Sequence, residues 1–191
     1  MIKRSKTVAI TILGAAAFTL AGCQEEQIDA SAFPDLQSCT AQAQNGGTFT
    51  AQDCDAAFAE ANALHVESAP RYESIAVCEE QHGQGNCGSE ATATQGGSGS
   101  IFMPLIAGYL IGNMLGGRGG AAASQPLYKN GKGSFSNAAG TSTFSNNSGS
   151  AKLGSSQFAR PATTAGKPPM SRATAMSRGG FGTSGAGRTG S

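Results

Sequence analysis

The sequence predicts a mostly disordered, low-complexity chain that carries a small α-helical, disulfide-stapled head and one apolar helix with glycine-zipper spacing. Three observations lead there. Four cysteines, Cys39, Cys54, Cys78 and Cys87, fall among helix-like patterns in the first half. Gly108, Gly112 and Gly116 recur every fourth residue inside an apolar run. The far half is dominated by Gly, Ser, Ala and Thr, a composition too poor in apolar surface to offset the entropy of ordering it.

Residues 1–22 read as a signal peptide. Lys3, Arg4 and Lys6 precede an apolar stretch from Val8 to Leu20 that suits a signal-peptide core and falls short of the roughly 20 residues needed to span a bilayer. Leu20-Ala21-Gly22-Cys23 then matches a lipobox, in which small residues fit the peptidase and the thiol of Cys23 accepts a diacylglycerol. Cys23 is therefore the expected lipidation site, and two or more acyl chains anchor stably at about 0.8 kcal/mol per buried methylene. Residues 23–31 form a lipidated tether. Gln24 stands where lipoproteins kept at the inner membrane often carry aspartate, which favours the outer membrane facing the periplasm.

Residues 32–88 are the candidate folded head. Acylation of Cys23 leaves an even set of cysteines in an oxidising compartment, so two disulfides are expected. Three connectivities exist. Phe33 and Tyr72 each lie six residues before a cysteine, with the N-cap types Asp35 and Ser74 four before it, and a glycine-containing turn leads each unit to a second cysteine. Two degenerate copies of one unit would pair Cys39–Cys54 and Cys78–Cys87; the nested alternative, Cys39–Cys87 with Cys54–Cys78, would staple a helical hairpin. The periodicity predicts helices over 53–67, closed by Pro70, and over 74–81, stopped near Gly83. No strand pattern is assigned. A zinc site from Cys78, His82, Cys87 and His65 is the competing reading, but without a tight C-x-x-C clamp no metal is assigned, and both histidines are expected to face solvent.

Residues 89–100 are a flexible Gly/Ser/Thr linker. Residues 101–117, from Ile101 to Gly117, form the apolar zipper segment, where a helix would align Gly108, Gly112 and Gly116 as a bare groove for packing on another helix. Seventeen helical residues reach about 26 Å, short of a hydrocarbon core, so shallow insertion, self-association or docking on an envelope protein is expected. Residues 118–191 are a basic, disordered tail.

Charge divides along the chain. All twelve acidic residues lie between Glu25 and Glu90 with one base, Arg71, while nine bases and no acid follow Ala91. Anionic lipid, lipopolysaccharide, peptidoglycan carboxylates or the acidic head are the available counter-charges for the tail. Arg178-Gly179-Gly180-Phe181-Gly182 resembles segments of RNA-binding tails, yet outside the cytoplasm nucleic acid is not an expected partner.

No nucleophile elbow, zinc-protease helix or phosphate loop is present, so no catalytic residue and no cofactor is assigned. The expected role is a non-enzymatic interaction or assembly module of the cell envelope. The alternative is a periplasmic thiol–disulfide or accessory factor for an envelope enzyme or transport system.

The order of lipobox, Cys39…Cys54, Ala69-Pro70-Arg71-Tyr72, Cys78…Gly83-x-Gly85-x-Cys87, Met103-Pro104-Leu105 with Ala107-Gly108-Tyr109, and Arg178-Gly179-Gly180-Phe181-Gly182 resembles the YgiB-type family of uncharacterised proteobacterial envelope proteins. The resemblance covers islands across most of the chain and leaves out the spacers between Gly119 and Met176. It implies an envelope lipoprotein without an established activity and carries over no catalytic residues.

Overall fold

The computed structural model describes residues 26–94, 96–113 and 122–178. Its organising element is a curled antiparallel sheet, and the first strand, β1 (Gln27–Phe33), runs through the expected tether. Gln-Ile-Asp-Ala-Ser-Ala alternates polar and apolar, and the alternation sends Ile28, Ala30 and Ala32 to one face of the sheet. Phe33 points to the other, against α1 (Leu36–Gln44) and α2 (Ala51–Ser68).

The helices begin where side chains can satisfy their free N–H groups. Asp35 accepts from the Ser38 N–H at 2.7 Å, and Thr50 with Asp53 forms a capping box. Ser74 caps α3 (Ile75–His82), which Gly83 ends at φ +87°. β2 (Cys87–Ser89), α4 (Glu90–Thr94) and β3 (Phe102–Pro104) follow; β2 and β3 pair as a small separate sheet.

The apolar segment is not a helix. Its described part supplies β3 and then β4 (Ile106–Asn113), which pairs on both sides, with β1 and with β5 (Ala122–Lys129). Ile106, Tyr109, Leu110 and Ile111 favour a pleated surface, while glycines at helical spacing penalise a helix. Gly108 sits at φ +149° beside a register shift, and a Cβ there would lie 2.7 Å from the Phe33 carbonyl oxygen. A Cβ on Gly112 would lie 2.6 Å from Cζ of Phe158. Both glycines do permit close approach, but of a backbone and a ring within this chain; Gly116 lies outside the described residues. Among the described residues, no helix is long and apolar enough to cross a membrane.

The expected disordered tail is likewise corrected. β5 is followed by β6 (Phe135–Asn137), β7 (Thr143–Phe144), β8 (Gly149–Gly154), a 3-10 turn over Ser155–Phe158 and α5 (Arg172–Ser177). The large sheet runs β7-β6-β5-β4-β1-β8, so the first strand of the domain fills the gap between the fourth and the last. A composition poor in apolar residues still folds here because a strand need not bring its own core. Leu127, Leu153 and Phe158 share one assembled mainly by Ile28, Ala30, Ala32 and Leu110.

The disulfides join Cys39 to Cys54 and Cys78 to Cys87. Cys39 and Cys54 lie in the core between α1, α2, Phe33 and Tyr109.

A basic groove beneath the C-terminal strap

The residues between the 3-10 turn and α5 cross the molecule as a strap, and main-chain hydrogen bonds fix its course. Thr164 and Ala165 donate to the Glu67 carbonyl at 2.9 and 3.0 Å, and Met170 donates to the Arg71 carbonyl at 2.7 Å. Tyr72 bridges β3 through Phe102 on one side and the strap through Met170 on the other, which extends the small sheet.

Arg71 ties these pieces together. Its guanidinium is buried; Nε donates to Glu90 Oε1 at 2.6 Å, Nη2 to the Val66 carbonyl at 2.7 Å, and Nη1 to the Ala69 carbonyl and to Thr164 Oγ1. The ion pair holds Glu90 below the usual carboxylate range. One base thus satisfies the end of α2, the start of α4 and the strap at once, the fork geometry that arginine suits and lysine does not.

Behind Arg71 lies an array of four rings. Tyr72 meets His82, His82 meets Tyr128 and Tyr128 meets His65, with centroids 5.6, 6.2 and 5.7 Å apart. His82 Nδ1 donates to the Lys129 carbonyl at 2.8 Å, since a carbonyl only accepts. Its Nε2 therefore accepts from the Tyr72 hydroxyl at 2.9 Å. His65 Nδ1 and the Tyr128 hydroxyl are 3.0 Å apart. Burial pushes both histidines down to about 4, with Arg71 adding to the effect at His65, and burial raises Tyr72 and Tyr128. The expectation of solvent-facing histidines is thereby overturned. These rings are neutral at physiological pH and link α2, α3, β5 and the small sheet.

Between the strap, the turn after β6 and Pro70–Tyr72 opens a groove of about 350 Å³. Pro70, Ala138, Pro161, Pro168 and Met170 give it apolar walls, and Lys167 and Arg178 stand at its edge. Among the described residues no carboxylate lines it. The neighbouring acids are already engaged. Thr163 and Arg160 hold Glu67 below its usual range, Arg172 pairs with Glu80, and Glu73 accepts the Arg172 N–H. Lys167 and Arg178, by contrast, form no ion pair among the described residues, and the Arg178 guanidinium lies 3.7 Å from the Met170 sulfur.

The acidic head is thus one counter-charge for the basic tail: Lys152 meets Asp29, Arg160 meets Glu67 and Arg172 meets Glu80. Of the residues singled out in the sequence, Cys78 and Cys87 are joined to each other and His82 turns inward, so the zinc alternative is not assembled. Cys23 lies outside the described residues, as do 179–182 of the Arg-Gly-Gly-Phe-Gly element. Sequence reasoning missed Lys167 and the ring array. Pro161, Pro168 and Lys167, clustered in a stretch otherwise rich in Ala, Ser and Thr, were the available signal.

Fold and groove together define a two-disulfide domain in which a curled antiparallel sheet, backed by helices, is closed by a C-terminal strap. The chain belongs to the family described as protein of unknown function (DUF1190), whose profile matches residues 27–191, a span that includes the spacers left out of the sequence resemblance. It is similar to a UPF0441 protein of Erwinia tasmaniensis, 31% identical over 190 residues that cover 92% of this chain and 79% of that one. UPF0441 proteins of Klebsiella pneumoniae and Serratia proteamaculans are each 32% identical, over 88% and 95% of this chain and 77% and 82% of their own lengths. No solved structure matches the chain.

Proposed function

We propose that this is a non-enzymatic lipoprotein of the cell envelope that anchors through Cys23 and binds a partner in the groove under the strap. The observation that carries the proposal is the groove itself, in which apolar walls meet two cations that form no ion pair among the described residues. The histidines behind it bond inward, to Tyr72, Tyr128 and the Lys129 carbonyl, which supports a binding role over proton transfer.

The strand register supports an orientation for such a module. Gln27 pairs with Gly154 at the end of the sheet where β1 begins, whereas Tyr128 and Lys129 mark the far end of β5, about 25 Å away for an eight-residue strand. Gln81, which lines the groove, accepts from the N–H of Gly131 just beyond that far end. A lipid on Cys23 would hold the near end against the bilayer and present the groove away from it.

Two readouts test this in cells. Metabolic labelling with an alkyne fatty acid is expected to mark the wild-type chain and not Cys23→Ser; equal labelling of both contradicts the anchor. A photo-crosslinking residue at Ala162, in the groove, is expected to give a discrete adduct that Lys167→Glu with Arg178→Glu removes. No adduct, or one indifferent to those charges, contradicts the groove as the working surface.

A further inference from the structure

From the lining of the groove we infer that its ligand is a small amphipathic oxyanion, an apolar body bearing a carboxylate or phosphate head. The inference rests on the groove being the working surface proposed above. Size is the first argument. A space of about 350 Å³ falls within the range of small-molecule sites, roughly 300–1,000 Å³, and is too small for a folded partner.

Charge is the second. Glu67 is held by Arg160 and Thr163, Glu80 by Arg172 and Glu90 by Arg71, Glu73 accepts the main-chain N–H of Arg172, and none of the four lines the groove. Lys167 and Arg178 remain at the edge, with no ion pair and no lining carboxylate among the described residues, and an oxyanion is the ligand that completes them. Arg178 offers a planar fork and Lys167 a compact point charge, a pair that suits a head with two or three oxygens.

The walls supply the third. Pro161, Pro168 and Met170 present no side-chain donor, and Arg71, Tyr72 and Thr164 bond within the protein, so along these walls a polar ligand body would lose hydration. The proline rings are rigid, so little ordering entropy opposes the fit, and the Met170 thioether adapts to an irregular apolar shape.

Calorimetric titration tests this on the full mature chain carrying Cys23→Ser, which needs no detergent. The probes are octanoate, octyl phosphate, octanol and octyltrimethylammonium. Saturable binding of octanoate or octyl phosphate is expected, with octanol and the ammonium weaker by about tenfold or more, as loss of a charge-assisted hydrogen bond implies. Whichever oxyanion binds more tightly identifies the head. Lys167→Glu with Arg178→Glu should cost at least a comparable factor, and Ala139→Trp, which fills the groove from an exposed position, should abolish binding. Lys132→Glu, exposed and outside the groove, should leave it unchanged.

Octanol binding as tightly as octanoate, or anion binding that survives the charge reversal, would overturn the inference. Silence from both oxyanions with a retained adduct at Ala162 overturns the ligand class alone; silence in both experiments overturns the working surface as well.

Discussion

His82 Nδ1 lies 2.8 Å from the carbonyl oxygen of Lys129, and this contact fixes the proton of a fully buried imidazole. With Nδ1 donating, Nε2 accepts from Tyr72, so the ring satisfies a backbone acceptor of β5 and a side-chain donor of the small sheet together. Protonating the ring would bury a cation and turn the Tyr72 hydroxyl from donor to acceptor.

Stability is therefore expected to fall as pH drops from 6.5 toward 4. Both histidines ordinarily titrate at 6.5 and are held down to about 4 in the fold, so across that window the unfolded chain takes up protons that the folded chain refuses. Above 6.5 the contribution is complete and flat. Each fully depressed histidine accounts for a loss on the order of 3 kcal/mol by pH 4. Urea midpoints between pH 7 and 4.5 measure this before the carboxylates contribute much. His82→Gln should roughly halve the slope; an unchanged slope would show that His82 titrates normally in the fold.

Replacing Gly112 should destabilise the domain without changing its oligomeric state. The added Cβ of Gly112→Ala would lie 2.6 Å from Phe158 and 2.8 Å from Ile28, and overpacking of this kind costs about 1–3 kcal/mol. Phe158→Leu in the same chain should recover part of the loss. Equilibrium denaturation gives the energies and light scattering the mass. A change of mass with unchanged stability would return the residue to a role between molecules.

Arg71→Met should release the strap. The substitution strands Glu90 and the carbonyls of Val66 and Ala69, and breaking a buried pair from one side typically costs about 3–5 kcal/mol. Limited proteolysis should then cut between Arg160 and Met170 while the disulfide-bonded half resists. Uniform resistance would mean that main-chain bonds alone hold the strap.

Much of the helical half was legible in the sequence because its signals are local. Asp35, Ser74, Gly83 and Pro70 act within a turn of themselves, and the repeated aromatic–cap–cysteine unit points to two short bridges. The sheet was not legible, since β1 pairs with strands far along the chain; Ser31 bonds Ser150 across 119 residues. The alternation of Ile28, Ala30 and Ala32 was a readable strand signal, obscured by the small size of alanine. Gly108 and Gly112 were read as a helix-packing face and instead lie in β4, against a backbone carbonyl and a ring of this chain, because spacing alone does not distinguish a facing helix from a crossing ring. The groove needed the whole fold, because Pro70, Ala138 and Lys167 meet only after the strap has crossed.

The disulfides should behave as structural bridges. Cys39, Cys54 and Cys78 are buried, so an external thiolate reaches them only through opening. Mild reductant is expected to leave both bonds intact in native protein and to reduce them in urea, as thiol labelling reads. In the loop-entropy model, removing Cys39–Cys54, which are separated by 15 residues, costs about 3 kcal/mol. Fast native-state reduction of Cys78–Cys87, whose Cys87 is half-buried, would favour a thiol–disulfide role instead.

The most direct test of the account is amide hydrogen exchange at Met170, whose N–H donates to the Arg71 carbonyl and seats the strap that makes the groove. Protection comparable to that of Leu127 in β5 is the expected result. Exchange at the rate of an unstructured peptide would mean that the strap does not close over Pro70–Tyr72, and the groove with its ligand would fall with it.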